Sequence, residues 1–132
     1  MRIRNLEKSD EAAWRRLWTG YLTFYETSRP SEVYDQTFAR LLPGGSEDMR
    51  AFVAERNGEL VGLVHFIFHS HCWTPEGVTY LQDLYDDPAA RGSGAARALI
   101  EAVYQAADEA GRPSVYWHTQ EFNYRGRSLY DK

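Results

Sequence analysis

The chain has 132 residues, 43% hydrophobic and 26% charged, with 19 acidic against 15 basic side chains and a formal net charge of −4. One domain's worth of length (1–132) with an ordinary globular composition excludes a disordered or repetitive chain, and the acidic balance disfavours nucleic acid and anionic membrane as general partners. The longest apolar run, Leu60 to Phe68, is too short to span a membrane, MRIRNLEKSD lacks a signal peptide's apolar core, and the single Cys72 has no internal disulfide partner, so a soluble cytoplasmic protein is expected.

Arg2-Ile3-Arg4 alternates like a short strand. Ser9-Asp10 then offers N-cap chemistry to a helix with apolar residues at Trp14, Leu17, Trp18, Tyr21, Leu22 and Tyr25, a stripe that packs on a sheet. Pro30-Ser31-Glu32 starts a second helix through Val33, Phe38, Leu41 and Leu42, stopped by Pro43-Gly44-Gly45. Arg50 to Glu55 reads as a strand, Arg56-Asn57-Gly58-Glu59 as a hairpin turn, and Leu60 to about His71 as the returning strand. A further strand is expected from Val78 to about Tyr85, after the breaker-rich Thr74-Pro75-Glu76-Gly77 and ended by Asp87-Pro88.

Gly92-Ser93-Gly94 opens a third helix, with Ala96, Leu99, Ile100, Val103, Tyr104 and Ala107 on one side and Gly111 at its end. Ser114 to Thr119 reads as a strand, and Asn123 to about Asp131 as a last helix. The order β-α-α-β-β-β-α-β-α contains one strand-helix-strand crossover after an antiparallel meander, so the fold class is α+β with a mixed sheet.

A strand leading into a glycine-rich turn and a helix presents free backbone N–H groups and a positive helix end, which suit a pyrophosphate, with Arg91 as a charged donor at the rim. The same turn also caps helices that bind nothing, and spacing alone leaves both readings open. No Gly-Lys-Ser/Thr follows, so a Walker nucleotide site is not indicated, and the motif's position late in the chain does not suit a Rossmann site. His65, His69 and His71 alternate along one strand with Cys72 beside them, but their spacing fits no closed zinc pattern and no metal is expected. His118 reads as a cleft-lining or core polar group.

Tyr80-Leu81-Gln82-Asp83-Leu84-Tyr85, followed by Asp87-Pro88-Ala89-Ala90-Arg91-Gly92-Ser93-Gly94-Ala95-Ala96-Arg97, resembles the acetyl-CoA signature of the GNAT superfamily of N-acetyltransferases. Tyr116 to Asn123, with Leu129-Tyr130, is similar to that family's second signature. Within the family the likeness leans towards the diamine (spermidine/spermine-type) and thialysine acetyltransferases. It implies the acyl-CoA N-acyltransferase fold, acetyl-CoA as co-substrate and no metal. It also implies that backbone groups of Leu84, Tyr85 and Asp86 hold the pantetheine arm. The turn Arg91, Gly92, Ser93, Gly94, Ala95, Ala96 and Arg97 would take the pyrophosphate, Asn123 would bond the cofactor between splayed strands, and Tyr130 would protonate the leaving thiolate.

Transfer to an amine also needs the amine neutral. Asp83 is the first candidate for that base, and Tyr25, Glu26, Gln82 and Glu121 are candidates to line the amine site. Gln82 stands where the polyamine enzymes have a glutamate, and an amide neither accepts a proton nor carries charge. The expected acceptor is a primary amine on a small molecule, such as a diamine or an amino acid. A GNAT-like acyl-CoA-binding module without chemistry, or transfer to a protein amine or an aminoglycoside, are the alternatives. The family continues past this point into a final strand, so a C-terminal strand is expected to be missing, or supplied by exchange in a homodimer.

Overall fold

In the computed structural model of the protein, which describes residues 1–118, a five-stranded sheet lies between two helices on one face and a third helix on the other. The elements are β1 (Arg2–Asn5), α1 (Glu11–Phe24), α2 (Ser31–Leu41), β2 (Met49–Arg56), β3 (Glu59–His71), β4 (Thr74–Asp86), α3 (Ala95–Glu109) and β5 (Val115–Tyr116). They pair in the order β1-β2-β3-β4-β5, antiparallel except for the parallel β4–β5 pair. The expected α+β class and the element order through β5 are therefore present; the expected helix from Asn123 lies outside the described residues.

Local chemistry explains most boundaries. Asn57 and Gly58 both take positive φ (54° and 81°), as a two-residue hairpin turn matching the twist of β2 and β3 requires. β3 is apolar over most of its length because both its faces are covered: Leu63 packs towards α1 and α2, while Val64, Phe66 and Phe68 pack towards α3. Leu99, Ile100 and Val103 bury the inner stripe of α3 against that second face.

Three expectations shift. Asp10 does not cap α1, because its carboxylate is already engaged by the Arg4 guanidinium (2.8 and 3.0 Å) and the Glu7 amide (2.8 Å), an arrangement that ties a 3₁₀ turn to β1. β4 starts at Thr74, four residues before the expected Val78. Pro75 and Gly77 do not break it, since the register jumps from His69↔Val78 to His71↔Thr74 and Pro75–Gly77 bulges between, with Gly77 at φ 88°. β5 is only two residues long, Thr79↔Val115 and Tyr80↔Tyr116, because β4 changes course immediately afterwards.

That change of course is a second bulge. His65 pairs with Asp83 and Phe66 with Leu81, leaving Gln82 as the extra residue. Side chains in a strand alternate, so one inserted residue inverts the facing of all that follow: Leu81 before the bulge and Leu84 after it both lie on the α3 side, and Asp83 is carried to the α1 side.

Leu99 is fully buried beneath the turn that opens α3. Leu99→Ala is expected to cost about 2–5 kcal/mol of stability with an unchanged denaturant slope, read by urea unfolding.

Candidate active site

Beyond the Tyr80–Tyr116 pair, the edge of β4 from Leu81 to Asp86 has no strand partner among the described residues, and a cleft of about 340 Å³ opens there. Leu81, Gln82, Asp83 and Leu84 form its β4 wall, Ile100 of α3 and Trp117 and His118 after β5 close another side, and Tyr21 and Tyr25 at the end of α1 overhang it. Tyr80 stacks on Tyr116 with ring centres 5.0 Å apart and meets His118 edge-on at 5.3 Å, so the far wall is aromatic.

At the end of β4 the chain passes through a 3₁₀ turn (Pro88–Ala90) into Gly92 (φ 86°) and Gly94 (φ 90°), the latter the residue from which α3 starts. Asp87 fixes the entry: its carboxylate accepts the Ala89 amide at 3.0 Å and the Arg16 guanidinium at 3.0 Å. Those two donors hold the Asp87 carboxyl below its ordinary pKa. The Ala98 amide is bonded to the Gly94 carbonyl at 3.0 Å, so the amides of Ala95, Ala96 and Arg97 precede the first helical bond and open the helix. The space where side chains of Gly92 and Gly94 would stand is empty to 4 Å, and Arg91, Ser93 and Arg97 are exposed. Free N–H groups, a helix's positive end, two arginines and open volume together fit an anionic pyrophosphate. Arg91 also lies 3.6 Å from Asp86.

Asp83 is the buried charge of this region. Its Oδ2 accepts the Trp18 indole N–H at 3.2 Å and His65 Nδ1 at 2.8 Å. His65 Nε2 lies 3.0 Å from the Trp14 indole nitrogen. An indole N–H only donates, so Nε2 must accept and the ring proton sits on Nδ1, directed at Asp83. Burial alone would push the Asp83 carboxyl up, but the bonds from His65, Tyr21 and Trp18 outweigh it and hold the group below the usual carboxylate range. Burial, and then the Asp83 charge, push the Tyr21 hydroxyl far up, so it stays protonated; burial followed by Tyr116 and Asp83 acts in the same direction on Tyr80.

The structure thus brings Tyr25, Gln82, Asp83 and Leu84 together in the cleft, while Arg91 to Arg97 form the turn and first residues of α3 and do not line it. Tyr85 is half-buried and packs towards α1. Glu26 is exposed in a left-handed conformation (φ 57°) just past α1 and does not line this cleft. Glu121, Asn123 and Tyr130 lie outside the described residues. The histidines do not converge: His65 is buried beside Asp83, whereas His69 is half-buried and bonds the Tyr116 hydroxyl at 2.7 Å, and among the described residues no His/Cys/Asp/Glu group is placed to hold a metal. The parts that sequence reading missed are Trp14, Trp18 and His65 as the hydrogen-bond frame of Asp83. A histidine inside an apolar strand, opposite an aspartate on the next, was the available signal.

A mixed sheet that opens beside a glycine-led helix N-terminus is the acyl-CoA N-acyltransferase fold. The chain belongs to the acetyltransferase (GNAT) family, whose model matches residues 12–132. The D-amino-acid N-acetyltransferase HPA3 of Saccharomyces cerevisiae is 40% identical over 131 residues, covering 98% of this chain and 81% of that protein. Among solved structures, AAC(6')-Iy in complex with the bisubstrate analogue CoA-S-monomethyl-acetylneamine superposes with a TM-score of 0.81 at 19% identity, over 98% of this chain and 86% of that one. A ribosomal-protein-alanine N-acetyltransferase from Brucella melitensis biovar Abortus 2308 gives 0.77 at 25% identity, over 98% and 88%. The protein is an acetyl-CoA-dependent N-acetyltransferase. No helix among the described residues is long and apolar enough to cross a membrane.

A carboxylate with a depressed folded-state pKa stabilises the fold above its unfolded pKa and loses that contribution as the pH falls through the folded value. Wild type is therefore expected to lose stability relative to Asp83→Asn as the pH is lowered below about 4, with no such relative change between about pH 6 and 8, measured by urea unfolding across that range.

Proposed function

We propose that the protein transfers the acetyl group of acetyl-CoA to the primary amine of a small molecule, with free amino acids the leading acceptor class. The observation that carries this reading is the cleft where β4 leaves β5, lined on one side by Ile100 of α3, the helix whose N-terminal amides are free. Its amino-acid emphasis comes from the 40%-identical relative, named for D-amino acids rather than diamines.

In this reading the free amides of Ala95, Ala96 and Arg97 and the Arg91 and Arg97 guanidiniums take the pyrophosphate, and backbone groups of Leu84 to Asp86 take the pantetheine arm along the free edge of β4. The amine nitrogen bonds the acetyl carbonyl carbon, the C–S bond breaks, and the sulfur leaves as thiolate. One proton leaves the nitrogen and one reaches the sulfur, so amine and thioester become amide and thiol. Family likeness assigns the second proton to Tyr130, a phenol with an ordinary pKa near 10.

Asp83 serves this reaction as a fixed anion rather than as the base. A carboxylate whose pKa is depressed by three donors takes a proton poorly but attracts an ammonium well, and in a buried setting that attraction is strong. Water in the cleft then carries the amine's proton away.

Two measurements test the reading. Ser93→Glu places a negative charge on the exposed turn without touching the core, and is expected to weaken acetyl-CoA binding about tenfold or more, roughly 1.4 kcal/mol, by calorimetric titration with the melting temperature unchanged. Tyr130→Phe is expected to lose most of its thiol-release rate while keeping its affinity for acetyl-CoA; wild-type turnover in that variant would remove Tyr130 from the mechanism.

A further inference from the structure

A second cleft, about 480 Å³, lies between α1, α2 and the sheet, and it shares Gln82 and Asp83 with the first. The bulge explains the sharing: it turns Asp83 through to the α1 side while Gln82 stays at the free edge, so one short stretch of β4 lines both spaces. The body of the second cleft is apolar, with Leu22, Val33, Leu41, Met49 and Ile67 on its walls, and Thr37 is a further lining residue.

Charge in this cleft is separated by position. The anionic Asp83, anchored by His65 and Trp18, sits at the buried inner end. Arg29, between α1 and α2, and Arg40, near the end of α2, line it from exposed positions. Other arginines of this region are committed: Arg4 to Asp10, Arg15 to Asp35 and Arg16 to Asp87, each within 3.0 Å. Arg29 and Arg40, by contrast, are paired with no carboxylate among the described residues; Arg40 only donates to the Gln36 side-chain oxygen at 3.3 Å. Two uncommitted guanidiniums facing an apolar space suit an anion, and a planar carboxylate in particular.

We propose that this second cleft is the acceptor site and that it selects α-amino acids with apolar side chains. The substrate's carboxylate is held by Arg29 and Arg40, its side chain lies against the Leu22, Val33 and Met49 wall, and its amine points to Asp83, which lines both clefts. This assignment rests on the acetyl-transfer reading given above and adds to it the substrate's second recognition point. A diamine would put a cation beside the two arginines, and the same pair discriminates against it.

The test compares thiol release from acetyl-CoA with D- and L-phenylalanine, phenylalaninamide and 2-phenylethylamine, using the wild type and the double variant Arg29→Gln/Arg40→Gln. With the wild type, kcat/KM for the preferred phenylalanine enantiomer is expected to exceed that for 2-phenylethylamine by tenfold or more, mainly through KM. In the double variant this ratio is expected to fall to near one. Equal use of acid and amine by the wild type, or an unchanged ratio in the double variant, would overturn the carboxylate site and leave the transfer reading standing. No thiol release with any of these amines, while acetyl-CoA still binds, would overturn the transfer reading for such acceptors and the site with it.

Discussion

Asp83 carries a negative charge into the packed layer between α1 and the sheet, where an ionised group without partners would cost several kcal/mol, and that layer is arranged around it. Two indoles from successive turns of α1 reach it, Trp18 directly and Trp14 through His65, so the helix is tied to β3 and β4 by directional bonds as well as by area. The network settles which nitrogen of His65 carries the proton, and it leaves the carboxylate charged in a position that lines both clefts. Packing by aromatic rings and the placement of a charge are here the same set of contacts.

Much of the architecture was legible in the sequence because it depends on neighbours in the chain. Asn57-Gly58 announces a turn whose φ values few other pairs accept, Gly92 and Gly94 announce a turn and a helix start, and the helical spacing from Trp14 to Leu22 announces a buried stripe. What was not legible depends on partners far away. Asp10 looks like a helix cap until Arg4 claims it. Pro75 and Gly77 look like breakers until a bulge accommodates them, and β5 reads as six residues until its partner strand turns away.

The candidate site divides along the same line. The glycine turn and helix start at residues 91–97 could be read because a helix N-terminus is a local object. The Asp83 frame could not, since it joins residues separated by 18, 51 and 65 positions. The bulge at Gln82 was equally hidden: it has no signature in composition, yet it decides which face Asp83 occupies. Without it, strict alternation would have sent residue 83 to the α3 side.

The indoles also have an optical consequence. Trp14 and Trp18 stack with ring centres 5.2 Å apart at 25°, close enough for their excited states to couple, and the Trp18 N–H ends on the Asp83 carboxylate. Trp73, 90% exposed at the tip of the β3–β4 hairpin, sits in water far from that pair's polar environment. The protein therefore carries a chromophore pair wired to a charge that lines both clefts, and in the acceptor site proposed above an amine beside that charge would alter the field across the pair. Its ultraviolet circular dichroism and the blue edge of its emission would then be native reporters of acceptor binding at that proposed site, with no label attached.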